Sequence, residues 1–185
     1  MDPQLDAEGK SALLATAREA IASRLEKRQP VWPPASGALL GPGGAFVTLH
    51  EKGSLRGCIG RMSSPDPLVT TIREMARAAA FEDPRFPALA RDELALVDIE
   101  ITLLSPMRRI EDTAEIVLGL HGLYIVKGWK SGVFLPQVAT EQGWDKETYL
   151  EQVCRKAGLP PDSWKSPEAA ISIFEGAIFG EHLGE

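Results

Sequence analysis

Along residues 7–29 the apolar positions Leu14, Ala17, Ile21 and Leu25 recur at three- and four-residue steps, the spacing of one helix face. Pro30 closes that pattern. Residues 31–44, with Trp32-Pro33-Pro34 and Gly41-Pro42-Gly43-Gly44, form a connection without periodicity. Residues 45–50 alternate, Glu51-Lys52-Gly53 carries turn chemistry, and residues 55–59 resume the strand, which predicts a β-hairpin. Ser64-Pro65-Asp66-Pro67 then starts a second helix, striped by Leu68, Ile72, Met75, Ala76 and Ala79. Asp83-Pro84-Arg85-Phe86-Pro87 places two prolines in five positions and predicts a stiff loop.

Val97–Leu104 alternates cleanly, with Val97, Ile99, Ile101 and Leu103 on one face and Asp98, Glu100 and Thr102 on the other. Further strands are expected at 122–127 and 132–135, joined by Gly128-Trp129-Lys130-Ser131, and a long one at 170–179. Between them Asp145 caps a helix that runs through Ala157, with Tyr149, Leu150, Val153 and Cys154 facing inward and Gly158 at its end. Met107-Arg108-Arg109 is expected in a turn. The tally is six strands and three main helices, with strands in hairpins rather than strand–helix crossovers. The pattern predicts an α+β fold: a mixed or antiparallel sheet with flanking helices.

Composition narrows this further. The chain has 185 residues, 44% hydrophobic and 25% charged, which is globular rather than disordered. A chain of this length buries roughly 70% of its unfolded surface, enough to fold without disulfide or metal staples. Apolar runs are short, so no membrane span is expected, and Met1-Asp2-Pro3-Gln4-Leu5-Asp6 has no signal-peptide character. With only two cysteines, Cys58 and Cys154, a cytoplasmic location is expected. The net charge is −6, from 26 acids against 20 bases, with no basic stripe, which argues against nucleic acid as a partner. Gly9-Lys10-Ser11 mimics the end of a phosphate-binding loop, but Gln4 stands where that loop needs glycine.

Candidate chemistry concentrates in Leu55-Arg56-Gly57-Cys58-Ile59-Gly60. Strand alternation would put Arg56 and Cys58 on one face, where a cation beside a thiol favours the reactive thiolate. Gly57 and Gly60 would let a ligand or another backbone approach closely. The competing reading makes Cys58 a small buried apolar residue and pairs Arg56 with a sheet carboxylate such as Glu100. A thiol catalyst needs a base, and His121, between glycines of a turn, is better placed than His50 or His182, with Gln137 as a polar orienter. Asp83 and Arg85 either pair across their proline loop or leave Arg85 to hold an anionic group. Zinc spacings, HExxH, EF-hand and GxSxG motifs are all absent from the sequence, and no cofactor is expected.

Leu55-Arg56-Gly57-Cys58-Ile59-Gly60 resembles the six-residue signature of the AMMECR domain family. The likeness continues through Gly44-Ala45-Phe46-Val47-Thr48-Leu49, Asp83-Pro84-Arg85-Phe86-Pro87, His121-Gly122-Leu123, Leu135-Pro136-Gln137-Val138-Ala139, Gly143-Trp144 and Lys156-Ala157-Gly158-Leu159. It implies one AMMECR-type domain over 7–185, built as two lobes, with the N- and C-terminal segments sharing one lobe and the signature near a cleft. It supplies no reaction. Bacterial and archaeal relatives are often encoded or fused with a MEMO-like protein and a radical S-adenosylmethionine enzyme, in the AmmeMemoRadiSam system, whose protein A this chain resembles. The implied function is an accessory component that binds a substrate or partner, with Arg56, Gly57, Gly60, Asp83, Arg85 and Gln137 as the binding set. The alternative is an enzyme with Cys58 as nucleophile and His121 as base. The CxxxCxxC iron–sulfur triad is absent from the sequence, so radical chemistry would belong to the partner.

Overall fold

Asp6 accepts a hydrogen bond from the Gly9 amide (2.8 Å) and so caps the first helix, α1 (Ala7–Leu25), in the computed structural model, which describes residues 5–181. α1 stops four residues short of the expected end. Lys27 takes a left-handed conformation (φ 53°), and the Arg28 amide turns back to the Ser23 carbonyl, a C-terminal cap formed before Pro30 is reached. The remaining elements are β1 (Gly44–Glu51), β2 (Ser54–Arg61), α2 (Leu68–Phe81), β3 (Val97–Leu104), β4 (Arg108–Ile110), β5 (His121–Lys127), β6 (Lys130–Phe134), α3 (Gln137–Glu141), α4 (Lys146–Lys156) and β7 (Ala170–Gly180). The α+β class is as the sequence pattern predicts. The described residues hold seven strands and four helices, one more of each than expected. The added strand is β4: Arg108 and Arg109 leave the expected turn because Ile171–Ile173 of β7 offer a free edge that Arg108–Ile110 pairs antiparallel.

The chain groups into two compact units, one of residues up to Leu104 together with those from Ala177 onward, the other Ser105–Gly176. In the first, β2, β1 and β3 pair antiparallel, and β2 is the sheet's edge. The β1–β2 turn is a two-residue loop, Lys52-Gly53, with φ of 51° and 78°, the doubly left-handed turn that matches the twist of a hairpin. Val47 and Leu49 of β1, Ile99 and Ile101 of β3, Ile72 and Ala76 of α2, and Leu13 and Ile21 of α1 meet in one core. Phe179 enters this core, and the Glu181 carboxylate pairs with Arg18 and accepts the Ile99 amide (3.0 Å).

In the second unit β5 pairs antiparallel with both β6 and β7, and α4 packs on β5 and β6. Asp145 caps α4 by accepting the Thr148 amide (2.8 Å). Lys130 and Ser131, expected in the connection, already pair with β5, because Gly128 (φ 61°) turns the chain within two residues. Leu123, Ile125, Tyr149, Val153, Cys154 and Ile173 form the core, edged by a cluster of Phe134, Trp144 and Tyr149.

Candidate signature-strand site

An edge strand exposes backbone donors and acceptors that another chain can pair with. At Cys58, in the middle of β2, side chains fill that role. The Cys58 amide donates to Asp83 Oδ2 (2.9 Å), and Arg85 Nη2 donates to the Cys58 carbonyl (3.3 Å). Asp83 and Arg85 are in turn locked together, Nε to Oδ1 at 3.0 Å and Nη2 to Oδ2 at 2.7 Å. The pair imitates a neighbouring strand for one residue. Asp83 is 4% exposed; the Arg85 side chain is 55% exposed. Hydrogen bonds from Arg85, then from the Cys58 and Arg85 amides, hold the Asp83 carboxyl well below the usual range and outweigh its burial.

Arg56 sits at a break in register. Leu49 pairs with Gly57 and His50 with Leu55, so Arg56 is the extra residue of a β-bulge. Its buried guanidinium makes a bidentate pair with Glu93 (2.9 and 3.0 Å) and donates to the Pro87 carbonyl (3.0 Å). Glu93 also accepts the Ala90 amide (2.7 Å), and its carboxyl is lowered chiefly by Arg56. The expected partner, Glu100, is thus replaced by Glu93, a residue of the loop before β3 that no sequence motif marks. The guanidinium is committed to that loop rather than to the thiol; the arginine that contacts Cys58 is Arg85, through the Cys58 carbonyl.

The two glycines serve opposite faces. A Cβ on Gly57 would stand 2.2 Å from the Ala79 carbonyl, so Gly57 is where α2 touches the sheet. A Cβ on Gly60 would strike the Phe46 ring at 2.2 Å, so Phe46 lies over Gly60 on the other face. Cys58 shares that second face. It is partly exposed, and its sulfur accepts a hydrogen bond from the hydroxyl of Thr48, its direct partner in β1 (3.3 Å). The register continues the row to Glu100 opposite Thr48, and sets His50 opposite Asp98. Thr48 and His50 were legible as the polar alternation of β1, but only the pairing shows which of them meets the thiol.

Arg56, Gly57, Cys58, Gly60, Asp83 and Arg85 therefore all belong to the first unit, whereas His121 and Gln137 belong to the second. His121 Nδ1 accepts the Val117 amide (3.1 Å), which puts the proton of the neutral ring on Nε2 and makes that nitrogen a donor. Gln137 opens α3 with its Oε1 buried and without a hydrogen-bond partner. No group of three or more His, Cys, Asp or Glu side chains among the described residues could hold a metal ion. No helix of the described residues is long and apolar enough to cross a membrane.

An α+β domain with a glycine-relieved, arginine-braced edge strand is the class of protein this architecture and signature define. The AMMECR1 family model matches residues 14–179. The chain belongs to the AMMECR1 family. It is 45% identical over 144 residues to a protein of Methanothermobacter thermautotrophicus, covering 75% of each chain. It is 39% identical to protein MK0488 of Methanopyrus kandleri over 100% of this chain and 94% of the relative. A similar solved structure is that of an uncharacterised protein, PH0010, from Pyrococcus horikoshii. The TM-score is 0.83 and the identity 36%, covering 97% of this chain and 94% of that one.

Proposed function

We propose that this protein is an accessory component that binds a substrate or partner through its signature strand, working with a MEMO-like protein and a radical S-adenosylmethionine enzyme in the cytoplasm. The observation that carries the reading is that the signature arginine, Arg56, and the carboxylate that braces the strand, Asp83, are both engaged inside the domain. Arg56 is closed by Glu93 and Pro87, and Asp83 is closed by Arg85 and the Cys58 amide. What the strand offers outward is shape and hydrogen bonding rather than an activated pair: a partly exposed thiol, the Phe46 ring over Gly60, and the half-exposed Arg85 fork. The partners follow from the family resemblance and from the absence of an iron–sulfur triad in this chain. Two unpaired cysteines suit a reducing compartment. Co-expression of all three proteins from one source, with a tag on this chain, tests the reading; retention of either partner through a high-salt wash is expected. Recovery of neither, with both present in the lysate, would sink it.

The second reading is an enzyme with Cys58 as nucleophile and His121 as base. Its support is that Cys58 is partly exposed, whereas Cys154 is buried. Against it, His121 Nδ1 is engaged by Val117, and the contact made to the Cys58 sulfur is a hydroxyl donor.

A further inference from the structure

Arg73 and Arg77 lie one turn apart on α2, so their side chains project from the same strip of the helix. Both stand over the indole of Trp32, the guanidinium carbons 4.0 and 5.9 Å from the ring centroid. Neither has a carboxylate partner among the described residues. Arg77 Nε donates to the Ala20 carbonyl (3.3 Å), and Arg73 Nε is buried with no hydrogen-bond partner. The contrast with the rest of the chain is sharp. Acids outnumber bases 26 to 20, and every other arginine of the described residues except Arg91 has an acid within ion-pair distance.

Holding Trp32 does not require this arrangement. One guanidinium suffices for a cation–π stack, and a second cation a turn away repels the first. Burial and the neighbouring Arg77 both disfavour the charge on Arg73. The segment carrying Trp32 is fixed independently, because Glu19 accepts the Val31 amide (2.6 Å) and pairs with Arg28. The guanidinium forks are thus held in place with donors left over. A monoanion would answer one of the two charges; a dianion with several acceptor oxygens answers both.

We propose that Arg73, Arg77 and Trp32 form a binding site for a phosphate group, either free phosphate or the monoester end of a small molecule. The site stands apart from the signature strand and does not depend on the function proposed above.

Calorimetric titration of the full chain at fixed ionic strength tests it, with inorganic phosphate, glycerol 3-phosphate and acetate as probes. Saturable binding of at least one phosphate probe is expected, with acetate bound at least tenfold more weakly. A tighter constant for glycerol 3-phosphate assigns a monoester, and the reverse order assigns free phosphate. Arg77→Met should weaken phosphate binding by about tenfold to hundredfold, the range of one charge-assisted contact. Arg73→Met should do the same; if that variant fails to fold, Arg77→Met decides alone. Absence of saturable phosphate binding, equal affinity for acetate, or unchanged affinity in folded Arg77→Met would each overturn the proposal.

Discussion

Asp83 holds the Cys58 amide and the Arg85 fork at once while only 2% of its side chain is exposed. Asp83→Asn keeps the shape but loses the charge, and should cost about 2 kcal/mol in chemical denaturation. That is below the value for a fully buried pair because Arg85 stands half in water. The sign with pH follows from the lowered Asp83 carboxyl. An unfolded carboxyl titrates near its ordinary value of 3.8, the folded one lower. The stabilisation is therefore fully present above the ordinary value and is lost as pH falls through the folded one. The stability gap between wild type and Asp83→Asn should hold from pH 7 to about pH 5 and close in more acidic solution; a gap constant down to pH 2 would contradict the assignment. The two thiols separate on accessibility. Cys154 is fully buried, and burial pushes its thiol upward. Iodoacetamide should modify the partly exposed Cys58 in the native protein and reach Cys154 only on unfolding, as peptide mass mapping would show.

At the scale of the element, β2 is held from three directions. β1 pairs it along one side, the Asp83–Arg85 fork closes the other at Cys58, and α2 rests on it at Gly57. Gly57 is the least replaceable of these contacts, because the clash is with the backbone carbonyl of Ala79, which no rotamer relieves. Gly57→Ala should destabilise by about 1–3 kcal/mol by forcing helix and sheet apart. Gly53→Ala is the control: beyond its chain neighbours an added Cβ would meet nothing within 4 Å, so any loss reflects only its left-handed turn conformation. Equal stability of Gly57→Ala and wild type would mean that α2 does not approach β2 as described. The bulge at Arg56 is the other device of this strand, since it frees Arg56 from the pairing and lets it reach Glu93.

For the whole molecule, the C-terminal strand supplies structure to both units. In the second unit β7 is the partner of both β4 and β5. In the first, Phe179 fills the core and Glu181 ties Arg18 to the Ile99 amide. Truncation before Ala170 should abolish the cooperative thermal transition, because each unit loses core and hydrogen-bond partners together. A truncated chain that melts as sharply as the full one would count against this. The secondary structure was largely legible in the sequence because it rests on local rules. Alternation gave β1 and β3, Asp145 with its following stripe gave α4, and Glu51-Lys52-Gly53 gave the hairpin turn. The membership of the AMMECR1 family was legible too, in the run of Leu55-Arg56-Gly57-Cys58-Ile59-Gly60 and the motifs around it. β4 was not, because three residues carry no periodicity and pair only when a strand edge is offered. The site turned on a single extra residue. Counting back from Lys52-Gly53 in a regular hairpin would set Cys58 opposite Val47, whose side chain is in the core. The bulge at Arg56 moves it opposite Thr48, onto the other face, because side chains in a strand alternate with a period of two. Glu93 became the partner of Arg56 for a related reason: their 37-residue separation carries no local signal, and only the folded loop brings the carboxylate to the guanidinium. The sequence by itself thus determined six of the seven strands, three of the four helices among the described residues, and the six residues that mark the family. The tertiary structure alone decided which face the thiol occupies and which carboxylate holds Arg56, because both depend on register and long-range closure, whereas the Asp83–Arg85 pair spans only two residues of one loop.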